Sequence, residues 1–205
     1  MTIISVTVKK GLASVELDRP DRLSVENRPV LASLFYEAGL KKGSEISPEA
    51  FCALIKQSET KRAKSRAVWY LSKKGYSVKT LHKKLCEKFL ESAADAAIEF
   101  CLANGFLDDC EYACATARRL KAAGKSRRAI TLYMQKDGIS RDDIENALSQ
   151  IPLQEDDVLS ELIQRKYKNK LSEENGKQKV VAALLRRGFK YEDIKKAIDC
   201  GEFYE

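Results

Sequence analysis

Histidine is almost missing from this 205-residue chain, and no two of its six cysteines stand in a CxxC pair. Structural zinc sites draw on closely spaced Cys and His ligand pairs, so that class is excluded. No apolar run approaches the length of a membrane span, and residues 1–18 alternate too strongly and carry too much charge for a signal peptide. The expected compartment is the cytoplasm, with the cysteines reduced. The chain also lacks a GxxxxGK[ST] phosphate loop, a GxSxG nucleophile turn and an HExxH metal motif. The one histidine, His82, lies in Leu81-His82-Lys83-Lys84-Leu85 and reads as a solvated helix residue rather than a base or ligand. Asp108 and Asp109 precede a helical run over residues 112–120 and read as helix caps, not as a metal site. Cys110 and Cys114, four apart on one helix face, read as small buried residues. No catalytic residue, metal or cofactor is expected.

What is present is charge, unevenly placed. The chain is 44% hydrophobic, which suits a globular protein, and its 33% of charged residues fits well-solvated helices. Residues 1–60 carry 8 basic and 8 acidic side chains, residues 61–136 carry 17 and 7, and residues 137–205 carry 12 and 15. The whole net charge of +7 therefore arises in the middle third, as expected of a surface that meets a polyanion. Residues 118–136 hold Arg118, Arg119, Lys121, Lys125, Arg127, Arg128 and Lys136 with no acid among them. Wrapped around Gly124, these cations would converge on one edge of a helix pair and could track a phosphate backbone. Lys73, Lys74, Lys83 and Lys84 belong to a second basic run, and Arg186 and Arg187 to a third, where neighbouring acids suggest a protein partner or a mixed surface. Aromatic residues are not interleaved with these runs, which argues against sequence-specific reading of single strands.

Repetition gives the architecture. Residues 124–148 and 176–198 match at an offset of 50, pairing Ile130 with Val180, Gly138 with Gly188, Ile144 with Ile194 and Leu148 with Ile198. An earlier copy over residues 75–98 pairs Leu81 with Ile130 and Leu85 with Met134 at an offset of 49. A fixed period near fifty residues implies stacked units, none of which buries its apolar face alone. In each, a glycine turn precedes a helix and an acid-capped helix closes the unit, with Ser140, Ser92 and Glu192-Asp193 in the capping positions. Gly138 and Gly188 fit helix C-caps, and Gly75 should end a helix over residues 63–74 whose inner stripe is Ala63, Ala67, Tyr70 and Leu71.

Ahead of the repeats, residues 3–8 and 12–17 alternate around Gly11 and predict a strand pair confined to about residues 1–20. Pro20 and Pro29 frame a connector, residues 30–38 predict a short helix stopping at Gly39, and Ser47-Pro48 opens another running towards Lys56, with its end beyond that residue left open. Pro152 with residues 154–157 marks the joint between the second and third copies, and residues 172–176 are the longest flexible candidate within the third copy. The expected fold is mainly α: three tandem three-helix repeats in an elongated array with a small N-terminal β-hairpin and helix extension. Its divisions are 1–59 for the extension, then 60–109, 110–151 and 152–205 for the repeats.

Several of these motifs together resemble the RecX regulatory-protein family. Residues 67–77 (AVWYLSKKGYS), followed by Leu81 and Lys84-Leu85, are similar to its opening motif. Gly105-Phe106-Leu107-Asp108-Asp109 with Tyr112-Ala113 looks like its second element, and Arg127, Ile130 and Asp137-Gly138-Ile139 like the helix motif that follows. Leu184-Leu185-Arg186-Arg187-Gly188-Phe189 with Asp193-Ile194 matches its closing motif, while Lys88-Phe89 stands where the family has a glycine turn. The resemblance covers nearly the whole chain. It implies a monomeric, non-catalytic cytoplasmic protein that binds RecA and its filaments on DNA and restrains them in repair and the SOS response. The basic residues Lys73, Lys74, Lys83, Lys84, Arg118, Arg119, Lys121, Lys125, Arg127, Arg128, Arg186 and Arg187 are the expected contacts. The residues alone leave two other readings open: a helical DNA-binding protein without a RecA target, and an adaptor solenoid with incidental charge.

Overall fold

The structure, a computed structural model, describes residues 1–18, 28–151 and 155–200. It divides into two units, one of Met1–Gly75 with Leu81–Leu107 and one of Tyr76–Thr80 with Asp108–Glu205.

The first unit opens with β1 (Ile3–Lys9) and β2 (Leu12–Leu17), antiparallel, with Lys9 opposite Leu12. Lys10 and Gly11 both take positive φ, the two-residue turn that matches strand twist. The β element does not stop near residue 20. A short β3 (Val30–Leu31) pairs with β2, and only then does α1 (Ala32–Glu37) begin. The helix expected from residue 30 is displaced because Val30 opposes Ala13 at a position where both are fully buried. The hydroxyl of Ser58 also accepts the Leu31 N–H at 2.7 Å. Ile3, Ala13 and Leu17 from the sheet close a core with Leu34, Phe35, Phe51, Leu54 and Ile55. Each large side chain there contributes about 1.5–3 kcal/mol by leaving water. Pro20 lies outside the described residues.

Ser47 accepts the Ala50 N–H at 3.1 Å and Pro48 fills the first helical position of α2 (Pro48–Leu71). This helix runs unbroken through the stretch where the sequence suggests two, because its buried stripe continues through polar residues. Phe51, Leu54 and Ile55 are followed by Ser58 and Glu59, then by Ala63, Ala67 and Tyr70, all buried. Glu59 is satisfied by Arg28 at 2.8 Å, Arg62 at 2.9 Å and the Leu90 N–H at 3.2 Å. The helix ends at Leu71, four residues before Gly75, which takes no left-handed conformation. Ser72 and Lys74 instead return their N–H groups to the Val68 and Tyr70 carbonyls, closing the end without glycine.

After α3 (Val78–Cys86), α4 (Glu91–Ala103) lies against α2 through Ala93, Ala94, Ala97 and Cys101. Ser92 is not its cap. Leu90 holds that position, and the Glu59 carboxylate from α2 takes the Leu90 N–H.

The second unit contains two three-helix bundles. The first is α5 (Asp109–Ala122), α6 (Arg127–Lys136) and α7 (Arg141–Ser149). The second begins with α8 (Glu155–Leu162), which passes through a π turn at Ile163–Tyr167 into α9 (Lys168–Leu171); α10 (Gly176–Leu185) and α11 (Tyr191–Cys200) complete it. Every apolar pair identified by the fifty-residue offset is buried: Ile130 and Val180, Ile144 and Ile194, Leu148 and Ile198. Leu81 and Leu85 are buried in the first copy. Gly138 and Gly188 take φ of +83° and +94°, just beyond the ends of α6 and α10. Ser140 accepts the Asp143 N–H at 3.0 Å. Residues 172–176 form a tight turn rather than a flexible stretch: Gly176 is buried and donates to the Glu173 carbonyl at 2.8 Å. Pro152 and Gln154 lie outside the described residues, and residue 155 already opens α8. Among the described residues, no helix is long and apolar enough to cross a membrane.

Candidate polyanion-binding surface

Asp108 and Asp109, which head α5, do different work. Asp108 caps the helix, accepting the Cys110 and Glu111 N–H groups at 2.7 and 3.1 Å. Asp109 reaches away and accepts the Val78 N–H at 2.8 Å, a role that adjacency in sequence could not reveal. Burial pushes the Asp109 carboxyl upward, the Val78 N–H opposes that rise, and Asp143 and Asp108 add to it. Nearby, Tyr112 donates to Asp137 at 2.7 Å, and burial and that hydrogen bond drive its phenol above the ordinary range. Ser77 donates to the Asp137 carbonyl at 2.6 Å. These contacts fix the end of α6.

The opposite end of α6 carries the densest cations. Arg118 and Arg119 are exposed near the end of α5, Lys121 and Lys125 are half-buried at the Gly124 turn, and Arg127 and Arg128 are exposed in the first turn of α6. Ser126, almost fully buried, caps α6 by accepting the Ala129 N–H at 3.2 Å. That first turn holds no acid. Cations at the positive end of a helix dipole cost about 0.3–1 kcal/mol each, a local penalty that an arriving anion would relieve.

A cleft of about 540 Å³ adjoins this edge, lined by Arg118, Lys121, Arg165 and Lys166 over Ile151, Val158 and Leu162. Its one acid, Glu161, pairs with Arg165 at 3.0 Å. Arg165 and Lys166 sit in the π turn of the α8–α9 segment, where the altered helical repeat obscures their facing in the sequence.

The expected contacts are not all alike. Arg186 is exposed, whereas Arg187 donates to the carbonyls of Ala123 and, at 3.3 Å, Gly124. Its own carbonyl accepts the Ser126 N–H at 3.1 Å. Arg187 thereby ties the end of α10 to the α5–α6 turn and orients the cations around it.

In the first unit, Lys73, Lys74 and Lys83 are exposed and Lys84 is half-buried, its ammonium 5.1 Å from the Tyr70 ring. Here the structure corrects the view that aromatics avoid the basic runs. Trp69 is 49% exposed, with Arg66 at 5.3 Å and Lys73 at 5.9 Å from its ring. Lys64 lies 5.0 Å from the Phe100 ring. The spacing of Arg66 and Trp69 on α2, with Lys73 in the turn just past its end, carries the signal for this grouping, which a count of aromatics dilutes.

Two further readings need adjustment. His82 is not simply solvated, because its Nε2 lies 2.8 Å from Asp95. Cys110 and Cys114 are only partly buried, with Asn146 of α7 at 3.4 Å from Cys110 and Gln150, just past the end of α7, at 3.6 Å from Cys114. Among the described residues, no group of three or more His, Cys, Asp or Glu could hold a metal ion.

Tandem three-helix bundles with a concentrated cationic face define a helical-repeat protein. The chain belongs to the RecX family of regulatory proteins. Residues 108–148 match the profile "RecX, second three-helix domain" and residues 154–198 match "RecX, third three-helix domain". Regulatory protein RecX of Caldanaerobacter subterraneus is 30% identical over 169 residues, covering 82% of this chain and 85% of that protein. The Leuconostoc mesenteroides protein of the same name is 28% identical over 204 residues, or 97% and 74% of the two chains. A crystal structure of regulatory protein RecX is similar at a TM-score of 0.60 and 23% identity, covering 97% of this chain and 98% of that one. RecX from Lactobacillus salivarius gives 0.56 at 24% identity over 69% and 95%. At these identities the two structures speak to the fold.

Proposed function

We propose that this protein restrains RecA by binding the recombinase and its filaments on DNA, without catalysis, as a cytoplasmic monomer that tempers repair and the SOS response. The observation that carries the reading is the acid-free cation cluster turning around Gly124, placed against the positive end of α6 in a member of the RecX family. In this reading Arg118, Arg119, Lys121, Lys125, Arg127, Arg128 and Arg186 meet the partner or its DNA, and Arg187 holds the turn that presents them. Lys73, Lys74, Lys83 and Lys84 supply contacts from the first unit. A second reading, direct binding to single-stranded DNA with no RecA target, is favoured by Trp69 between Arg66 and Lys73.

Binding to purified RecA with and without single-stranded DNA separates the two. The first reading requires binding without DNA and a slowed RecA ATPase. Reversing Arg118, Arg119, Arg127 and Arg128 together should weaken binding to the filament without unfolding the protein. Wild-type affinity should fall with salt at a log–log slope of about −0.7 to −0.9 per phosphate contact. An unchanged RecA ATPase at equimolar protein rejects the first reading, and salt-insensitive binding by an unimpaired quadruple variant moves the site elsewhere.

A further inference from the structure

Helices α6 and α10 leave three large apolar side chains in solvent beside one groove: Leu132 is 56% exposed, Tyr133 40% and Leu185 45%. The groove is shallow, about 580 Å³, and Phe189 helps to form it. Arg128, Lys136 and Arg186 are its charged members, with no acid among the lining residues. The Arg119 guanidinium stands 5.7 Å from the Tyr133 ring. Single exposed leucines are ordinary, but a contiguous apolar patch rimmed by charge marks a site of association.

The chemistry selects the occupant. Two of the three exposed side chains are aliphatic, which offers bases no stacking face, and a phosphate backbone has no use for them. The surface is made by helices and presents no strand edge, so an extended peptide would find no backbone partners. An amphipathic helix needs an apolar seat for residues spaced three and four apart and cations for its acidic flanks. We propose that this groove receives an acidic amphipathic helix of the partner protein. Its apolar side chains rest on Leu132, Tyr133 and Leu185, and its carboxylates face Arg128, Lys136 and Arg186. The inference rests on the RecA reading and names the face that RecA would use.

The test measures binding of purified RecA, without DNA, to the wild type and to Leu132→Asp/Leu185→Asp. Both leucines are solvent-exposed, so the variant should melt with the wild type, bind a single-stranded oligonucleotide equally, and bind RecA about tenfold more weakly or worse. If it misfolds, the milder Leu132→Ser/Leu185→Ser variant decides, with a loss in the same direction expected. Should the wild type fail to bind RecA, the functional reading falls and takes this inference with it. Should the wild type bind and a folded variant bind equally well, the inference alone is overturned. Loss of oligonucleotide binding by the leucine variant would reassign the groove to nucleic acid. Self-association of the wild type that the leucine variant abolishes would reassign it to a second copy of this chain; either result overturns the proposal.

Discussion

Glu59 shows how one side chain can join distant parts of a fold. It is nearly fully buried on α2, yet its carboxylate serves Arg28, Arg62 and the Leu90 N–H. Replacing it with alanine leaves that N–H without its acceptor and should cost about 1–3 kcal/mol in urea denaturation. Gln should cost less, since it keeps an acceptor; Ala and Gln variants that both unfold with the wild type would remove Glu59 from this role. Asp109 offers a pH-dependent counterpart. Burial raises its carboxyl above the ordinary value of 3.8, so the folded chain holds the proton longer than the unfolded one. Its support is therefore complete below the unfolded value and fades as pH climbs through that value to the folded one. Asp109→Asn, uncharged throughout, should gain on the wild type across this window in thermal melts from pH 3 to 7. Parallel melting curves would show that Asp109 does not supply the slope. Neither role could be read along the chain, because Leu90 lies thirty-one residues from Glu59, and Val78 equally far from Asp109.

At the scale of elements, the fifty-residue offset was the most legible feature, since buried positions recur with the helical period and glycine ends the helices. Gly188 combines a φ of +94° with crowding: a Cβ would meet the Ser126 oxygen at 2.6 Å and the Ala129 Cβ at 2.7 Å. Gly39 has φ of +69° but open space. Gly39→Ala should therefore cost about 1 kcal/mol from backbone strain alone, and Gly188→Ala clearly more. Gly176→Ala should also be severe, because a Cβ there would lie 1.8 Å from the Lys170 carbonyl oxygen, which only a backbone shift could relieve. Thermal melting of the three variants checks the ranking, and equal losses would reject the crowding argument. What the sequence concealed at this scale had tertiary causes. Strand β3 exists because Val30 pairs with Ala13, and α2 is continuous because remote groups neutralise the polar residues in its stripe. The cation cluster was legible as composition, but the splitting of Arg187 from Arg186 was not, since adjacent helix-end residues point to different neighbours.

For the molecule as a whole, the proposed function has a consequence in stoichiometry. Positive charge is concentrated in residues 61–136, while residues 137–205 carry a net negative balance, so a protein that merely coated phosphates would employ only part of its length. Restraining a filament does not require coating. A protein seated at a growing end stops addition there while subunits continue to leave the other end, so few copies suffice. The RecA ATPase on single-stranded DNA should accordingly fall at amounts well below one copy per RecA monomer, and more sharply for growing filaments than for preformed ones. Coating would instead require enough protein to cover the lattice and would suppress an unrelated single-strand-binding protein equally. Titration against both kinds of filament, with such a protein as control, distinguishes these outcomes. Inhibition that appears only near lattice saturation, and equally for the control, would leave direct DNA binding as the working mechanism.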